Sequence, residues 1–312
     1  MKPSSTRWLN RLLFLMILAA VAAYVYMNLD RLCNMEFRPA WGYVALAAAS
    51  VILGHLGNMA IWSDIAESSG FGTGFLRNSI AWVLSRLGRY VPGKVALLIT
   101  RFRLYPGASK RDLTMATLLE YLSSLAATCV IFIIALLIFP AISAGYYLVV
   151  ALTSLVVLAA LLHPSVIRRL ANSMLRKLGR EPIRYYPPFR AILKYIFAYL
   201  FPVLFHGLGF FLLLSALNPL PIGYYIPITG VYYASALVGM AAVFAPSGIG
   251  VREGVMLLVM PVFISVEYVI LGAIMIRLVT TADEIALALA ASLLWRKLNP
   301  RAYEMVTENG CS

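Results

Sequence analysis

The stretch Ser85–Val95, SRLGRYVPGKV, decides how the chain must fold, because it places cations and helix breakers within an apolar region. It carries Arg86, Arg89 and Lys94 together with glycine and proline, and apolar runs lie on both sides of it. Each Arg or Lys that faces lipid at the bilayer centre costs at least about 2.5–3.5 kcal/mol. Irregular backbone at that depth is tolerated only where it is buried in protein or lines a water-filled cavity. The stretch therefore predicts a polar cavity inside a membrane protein.

The composition of the whole chain is typical of a polytopic membrane protein. Hydrophobic residues make up 62% of the 312 residues and charged residues only 12%, whereas about a quarter of a soluble domain is charged. Several stretches exceed the roughly 18 apolar residues that mark a membrane span. The cations behind the net charge of +13 cluster in loops, which indicates membrane topology rather than nucleic-acid binding.

No cofactor or metal site is expected. The cysteines have no disulfide or metal spacing, and no phosphate-binding loop or catalytic motif occurs. The histidines, His55, His163 and His206, are scattered and match no metal motif. We interpret them as packing or interface residues.

The loop charges predict the orientation of the chain. The N-terminus, the 75–111 region, the 163–194 loop and the 295–301 tail are basic, which places all four in the cytoplasm. Full spans are predicted at 10–28, 40–62, from Ser109 (with Asp112 as its capping-box partner) to 139, 145–162, 192–217 and 267–293. We expect a multi-pass protein of the inner (cytoplasmic) membrane with both termini cytoplasmic.

This orientation requires segment 75–103 to enter and leave the membrane by the same face. The span at 40–62 ends in the cytoplasm, and the next full span must start there. Asn78–Leu87 would form about 15 Å of helix, half of the roughly 30 Å hydrocarbon core. Two half-helices joined by Gly88, Pro92 and Gly93 therefore predict a re-entrant hairpin.

A similar pattern recurs at 222–265. An apolar arm precedes the break APSGIGVREG, residues 245–254, and a short apolar arm follows it. Pro246, Gly248 and Gly250 would form the hinge. Helix, helix, hairpin, helix would thus occur twice, in inverted repeats at 10–139 and 145–293. The alternative is that 222–245 and 249–265 each cross the membrane.

The predicted fold is therefore an all-α polytopic membrane protein with six full transmembrane helices and two re-entrant hairpins. The alternative above gives eight spans with one re-entrant hairpin. In either case residues 1–312 form a single transmembrane domain, and 163–194 is a basic cytoplasmic loop.

Charges within the apolar segments are the candidate binding residues. Arginine forks and loop amides suit phosphate oxygens, so the first hairpin is predicted to hold an anion, and the alternative is that its cations snorkel to the interface. Glu120 is predicted to be a counter-charge for Arg86 or Arg89, a proton-coupling site or a structural ion pair. Arg252 and Glu253 could pair with Glu284 or Arg277, which lie two turns apart on one helix face. The predicted substrate-binding set is Arg86, Arg89, Tyr90, Lys94, Glu120, Arg252, Glu253, Arg277 and Glu284, and no catalytic residue is predicted.

Two motifs carry a resemblance to a known family. GRYVPGK, followed by GASKRD and LLEYL, resembles the pattern of the lysylphosphatidylglycerol synthase transmembrane region, or flippase-like, family of integral membrane proteins. APSGIGVREG is similar to its second signature, with Ser247 and Ile249 in place of a glycine and a leucine. The resemblance implies movement of polar lipids across the cytoplasmic membrane. We expect a stand-alone member without the soluble synthase domain, in which lipid synthesis does not occur.

The sequence thus predicts a non-enzymatic, flippase-like transporter. It would bind the anionic headgroup of a phospholipid or of a polyprenyl-phosphate-linked lipid in an intramembrane basic cavity. Two alternatives stay open: an accessory membrane subunit of an envelope glycosyltransferase system that docks through the 163–194 loop, and a membrane-embedded lipid-phosphate enzyme. The expected partners are membrane lipids, with a second copy of the chain or a glycosyltransferase also open, and no nucleic acid.

Overall fold

The computed structural model is helical in every regular element that it describes. The described residues are 38–90, 95–139, 163–177, 187–242 and 250–298, with Val149, Leu152, Thr153, Val156 and Gly248. The predicted span at 10–28 and most of the one at 145–162 lie outside them. So do Pro92, Gly93, Lys94 and Pro246, and the side chains of Arg89 and Tyr90.

The first half of the described chain has two long helices with a broken pair of short helices between them. The elements are α1 (Trp41–Ser68), α2 (Phe75–Arg86) with a 3-10 turn at Leu87–Tyr90, α3 (Val95–Leu104) and α4 (Lys110–Ile138). Helix α1 continues beyond the predicted residue 62 because Ile65 and Ala66 are buried in the core. Ser109 stands at the N-cap of α4, but its side chain makes no capping hydrogen bond, so the capping-box prediction is wrong.

The second half of the described chain has one additional helix, followed by two long helices with a broken pair of shorter helices between them. They are α5 (Pro164–Lys177), α6 (Phe189–Leu217), a 3-10 turn at Ile222–Tyr224, α7 (Tyr225–Ala241), α8 (Val251–Val259), a 3-10 turn at Met260–Val262 and α9 (Val266–Leu298). The segment 163–194, predicted to be a loop, therefore contains α5 and the first turn of α6. Its many charges favoured a loop, so the helix was not predicted.

Three of the described helices are long and apolar enough to cross a membrane. They are α1, α4 and α6, with 28, 29 and 29 residues and mean hydropathies of 1.7, 2.5 and 2.1. At 1.5 Å per residue each is more than 40 Å long, against a hydrocarbon core of about 30 Å. By contrast α2, α3 and α8 have 12, 10 and 9 residues, which is at most about 18 Å of helix. The chain is thus a membrane protein in which long helices alternate with short ones.

Helices α1 and α6 form an antiparallel pair at the centre of the bundle. The backbone N–H of Ala40 donates to the carbonyl of Ala216 (2.9 Å) at one end. In the middle, Ser50 Oγ donates to the Phe205 carbonyl (2.7 Å). At the other end, Lys194 Nζ lies 2.6 Å from Asp64 Oδ2. These three contacts show that α1 and α6 run in opposite directions along their whole length.

The first short helix of each half packs against long helices of both halves. Helix α2 packs on α1, α3 and α9, and α7 packs on α6, α8 and α4. The outer ends of α2 and α3 lie by the C-terminal end of α1, where Tyr105 receives a hydrogen bond from Trp62. The outer ends of α7 and α8 lie at the opposite end of the bundle, where Phe139 contacts Tyr224 and Phe263 at ring-centroid distances of 5.6 and 4.9 Å.

Two apolar cores lie one above the other along the bundle. The first contains Trp62, Trp82, Leu113 and Tyr199, contributed by α1, α2, α4 and α6. The second contains Phe210, Tyr232, Met256 and Ile276, contributed by α6, α7, α8 and α9. Each broken pair therefore has a core of its own, at its own depth in the bundle.

Close contact between α4 and α7 depends on Gly230. A Cβ atom at this position would lie 2.3 Å from Ala135 Cβ, a distance that only a separation of the two helices could relieve. We predict that Gly230→Ala lowers the free energy of unfolding by about 1–3 kcal/mol. In α1, Gly42 has no atom within 4 Å of its virtual Cβ, so Gly42→Ala should be neutral or stabilise by up to about 1 kcal/mol. Thermal unfolding in detergent compares the two; equal midpoints would contradict the tight contact.

Candidate functional site

We call the interruption between α2 and α3 the first break and the one between α7 and α8 the second break. A buried arginine that the sequence analysis missed lies in α3, just after the first break. We call Trp82, Arg86, Arg101, Glu120 and Glu284 the first-break cluster. Arg101, in α3, is 0% exposed. Its Nη1 donates to Glu120 Oε2 (2.6 Å) and to Thr117 Oγ1 (2.9 Å), and its Nε donates to Ser85 Oγ (3.2 Å).

The environment of Arg101 neutralises and shields its charge. The guanidinium carbon lies 3.6 Å from the centroid of the Trp62 ring, a distance at which the ring face stabilises a cation. The other carboxylate oxygen of Glu120 accepts a hydrogen bond from Trp82 Nε1 (2.8 Å). Of the roles predicted for Glu120, the structural ion pair is confirmed, with Arg101 as its partner. Arg86 pairs with Glu284 instead, and the side chain of Arg89 lies outside the described residues.

The sequence analysis missed Arg101 because Arg101 and Arg103 stand at the end of a short helix, where cations are usually exposed and belong to a cytoplasmic loop. Spacing offered a signal, since Leu97, Arg101 and Tyr105 are four residues apart and share one helix face. The other two are apolar or aromatic, and all three are buried, with 3%, 0% and 3% exposure. Arg103, on the opposite face, is exposed.

A chain of hydrogen bonds fixes the outer ends of α2 and α3 to α1. Trp62 Nε1 donates to Tyr105 Oη (3.0 Å), which donates to Asn78 Oδ1 (3.1 Å). Asn78 Nδ2 in turn donates to Ser63 Oγ (3.1 Å) and Glu67 Oε1 (3.0 Å). Burial raises the pKa of Tyr105 to about 12, so its phenol stays protonated and can act as donor.

Arg86 is held more loosely than Arg101. Its Nη2 lies 3.8 Å from Glu284 Oε1, which is longer than a hydrogen bond, and its guanidinium carbon lies 4.8 Å from the Trp82 ring centroid. No residue in the described part of the chain accepts a hydrogen bond from its buried Nε. Arg86 also lines a cavity of about 10 Å³ with His55, Trp82 and Glu284, which holds about one water molecule.

The second break has a cluster of its own. We call Tyr232, Arg252, Glu253 and Arg277 the second-break cluster. Arg277 Nε donates to Glu253 Oε1 (2.5 Å), and the Gly250 N–H donates to Glu253 Oε2 (2.8 Å). Glu253 thus caps the N-terminus of α8 and neutralises a cation of α9. The predicted pairing of Glu253 with Arg277 is confirmed.

Glycines at this break position Arg252. Its guanidinium carbon lies 5.1 Å from the centroid of the Tyr232 ring. A Cβ atom at Gly239 would lie 2.5 Å from Arg252 Cγ. Gly248 and Gly250 have φ of 69° and 83°, the left-handed region that glycine adopts without strain.

The second cluster also has an unmatched donor. Nothing among the described residues accepts a hydrogen bond from the buried Nε of Arg252. Arg252, Glu253, Arg277 and Thr280 line a cavity of about 20 Å³. Arg277 and Glu284, predicted to share one face, thus serve different clusters.

Other predicted positions have mixed outcomes. Gly88 is buried within the 3-10 turn that ends α2. The spacing of Gly250 and Gly254 is that of a close helix–helix contact, but no atom lies within 4 Å of the Cβ position of Gly254, so no such contact forms there. No family model and no curated protein sequence matches the chain, and the family resemblance stays a prediction.

The Arg101–Glu120 pair should dominate the stability of the first break. Replacing Arg101 with Gln leaves a buried carboxylate without its cation, which typically costs about 3–5 kcal/mol. Arg103→Gln, on the exposed face of the same helix, should change the free energy of unfolding by less than about 0.5 kcal/mol. Lys194→Gln removes the exposed pair with Asp64 and should cost at most about 1 kcal/mol. Thermal unfolding ranks the three variants, and an Arg101→Gln protein as stable as the other two would contradict the assignment.

Proposed function

We propose that the chain is a membrane carrier that moves lipids with an anionic headgroup, either phospholipids or polyprenyl-phosphate-linked lipids. One observation carries this proposal: each break has an arginine, Arg86 or Arg252, with a buried Nε–H that no described residue accepts and with no described carboxylate within hydrogen-bond distance. Arg101 and Arg277 also keep a buried Nη2 without an acceptor in the described part of the chain, but they are already bonded to Glu120 and Glu253. Buried donors without an acceptor are rare in native structures. A phosphate oxygen is the acceptor that best suits a guanidinium fork.

The arrangement of charge supports phosphate exchange at Arg86. Glu284 lies 3.8 Å away, so it balances the charge of Arg86 without a hydrogen bond to the fork. A phosphate could therefore take the place of the carboxylate and accept hydrogen bonds from the Arg86 guanidinium, which Glu284 does not. Arg101, which is already bonded to Glu120, would hold α3 on α4 while this exchange takes place.

The antiparallel packing of α1 and α6 supports access from both sides of the membrane. Under this proposal the halves are an inverted repeat, α2–α3 and α7–α8 are re-entrant hairpins, and α9 and the segments 10–28 and 145–162 complete six spans. With nine residues, α8 reaches about 14 Å, too short for a full crossing. The two clusters would then face opposite sides, with both termini in the cytoplasm.

The cavities indicate a closed conformation. Volumes of about 10 and 20 Å³ each admit about one water molecule and no headgroup. Helix α2 packs on α9, so a separation of these two helices would open the first site. Alternate opening of the two sites would carry the headgroup across. The chain would thus be a stand-alone carrier of the flippase-like family that its motifs resemble.

Lipid movement tests the proposal directly. In liposomes that contain the reconstituted chain and fluorescent phosphatidylglycerol, Arg86→Gln and Arg252→Gln should each slow flipping at least about tenfold, because a charged hydrogen bond contributes about 1.5–3 kcal/mol. Arg77→Gln is the matched control, since Arg77 is an exposed cation of the same helix as Arg86. Undiminished flipping in both site variants would reject the carrier. Phosphate release from lipid by the purified chain would instead support the enzyme alternative.

Cysteine labelling tests the inverted arrangement. In a background without Cys33, Cys129 and Cys311, single cysteines replace Thr73 and Ser109, which flank α2–α3, or Gly223 and Ser265, which flank α7–α8; all four positions are exposed. An impermeant maleimide should label the first two from one side of the membrane and the last two from the other. Labelling of all four from one side would overturn the inverted repeat.

A further inference from the structure

Two histidines from distant parts of the sequence meet in the middle of the bundle. His55 lies midway along α1 and His206 lies just past the midpoint of α6. Their ring centroids are 4.8 Å apart, and the rings meet edge to face at 84°. Gly54 makes room for the contact, because a Cβ atom there would lie 2.2 Å from His206 Nδ1. The sequence analysis interpreted these histidines as scattered packing residues.

The hydrogen bonding of His206 defines its basic atom. Its Nδ1 lies 2.7 Å from the carbonyl oxygen of Pro202. Since a carbonyl only accepts, Nδ1 carries the hydrogen and Nε2 is left as the atom that can take up a proton. The pair therefore contains a proton acceptor within helices that cross the membrane.

His55 lines the same cavity as Arg86 and Glu284. It is 2% exposed, and its ring centroid lies 6.1 Å from that of Trp82. Charged and titratable groups face this region from each neighbouring helix. Arg86 of α2 and Glu284 of α9 line the cavity, and the ring of His206 of α6 contacts that of His55. Glu120 of α4, bonded to Arg101 of α3, accepts the Trp82 N–H beside the cavity, and Asp283 of α9 is buried next to Glu284 in the sequence.

We propose that the His55–His206 pair is a proton-binding site that controls whether Arg86 binds the lipid phosphate; the inference rests on the proposed function. A proton taken up from water by an imidazole adds a second positive charge beside Arg86. Glu284 is then shared between two cations, and the guanidinium becomes available to an anion. Loss of the proton to water restores Glu284 to Arg86 and releases the phosphate.

Thermodynamic linkage fixes the direction in which pH changes lipid binding. If a proton favours the anion, the anion must favour the proton by the same factor. Acid on the side where the lipid binds therefore promotes loading, and a more alkaline opposite side promotes release. A pH gradient would thus drive lipid movement without nucleotide hydrolysis.

NMR of the full chain tests the proton site separately from transport. The chain is labelled with ¹⁵N at histidine and placed in phosphatidylcholine nanodiscs with or without phosphatidylglycerol. We expect the His55–His206 pair to take up a proton with a midpoint that phosphatidylglycerol moves upward by about 0.7–2 pH units, which corresponds to a 5–150-fold coupling. Arg86→Gln should abolish this movement.

His163 is the internal control, because it lies at the start of the basic helix α5 and is exposed. Its ¹⁵N signal should respond to phosphatidylglycerol equally with and without Arg86. Failure of both His55 and His206 to take up a proton, or a response of the pair to lipid that survives Arg86→Gln, overturns the proposal.

Transport provides the second measurement. An imposed pH gradient should speed flipping of fluorescent phosphatidylglycerol by wild type at least about fivefold. The ratio of the flipping rates with and without the gradient should fall to about one in His55→Gln, and His163→Gln should keep the wild-type ratio. Gradient-dependent flipping by His55→Gln would overturn the proton site. If no variant flips lipid but His55 still responds to lipid through Arg86, the carrier proposal fails and the proton site stands.

Discussion

The first break depends on the burial of one guanidinium in apolar surroundings. Arg101 is 0% exposed, and a charge at that depth is tolerated only when a counter-charge and hydrogen bonds compensate its lost hydration. Glu120, Thr117 and Ser85 supply those bonds, and Trp62 covers the guanidinium. These partners belong to α1, α2 and α4, so the placement of a single side chain of α3 fixes four helices relative to one another. The site around Arg86 is built on this framework.

At the second break an ion pair also joins the short helix to the long helix that follows it, but the two charges are exchanged. In the first, the short helix α3 contributes the arginine and the long helix α4 the glutamate; in the second, α8 contributes Glu253 and α9 contributes Arg277. Glu120 and Arg277 each lie about three turns into their long helices. Each pair therefore fastens the second arm of a broken segment to the helix that follows it. Arg86 and Arg252 lie outside these two ion pairs, and each has a buried Nε–H without an acceptor among the described residues.

Much of this architecture follows from local sequence, and the remainder from contacts that sequence does not reveal. Apolar runs interrupted by glycine and proline predicted both helix–break–helix segments, because backbone preference and hydrophobicity act within a few residues. The Glu253–Arg277 pair was predictable because few charges are available in so apolar a region. Arg101 was missed because cations at the end of a short segment look like exposed loop charges in the sequence, and its burial depends on how α3 packs. The His55–His206 contact could not be read from spacing, since it depends on how α1 and α6 pack.

The buried ion pairs differ in how far apart their members are in the chain, and this difference orders the assembly of the protein. Arg101 and Glu120 are separated by 19 residues, so at about 5–20 residues per second the ribosome makes both within about 1–4 seconds. Glu253 and Arg277, 24 residues apart, are likewise produced almost together. An arginine released alone into lipid would be costly, so each short helix should leave the insertion machinery together with the long helix that follows it. Arg86 must wait for Glu284, and so for α9, so this pair forms later than the other two.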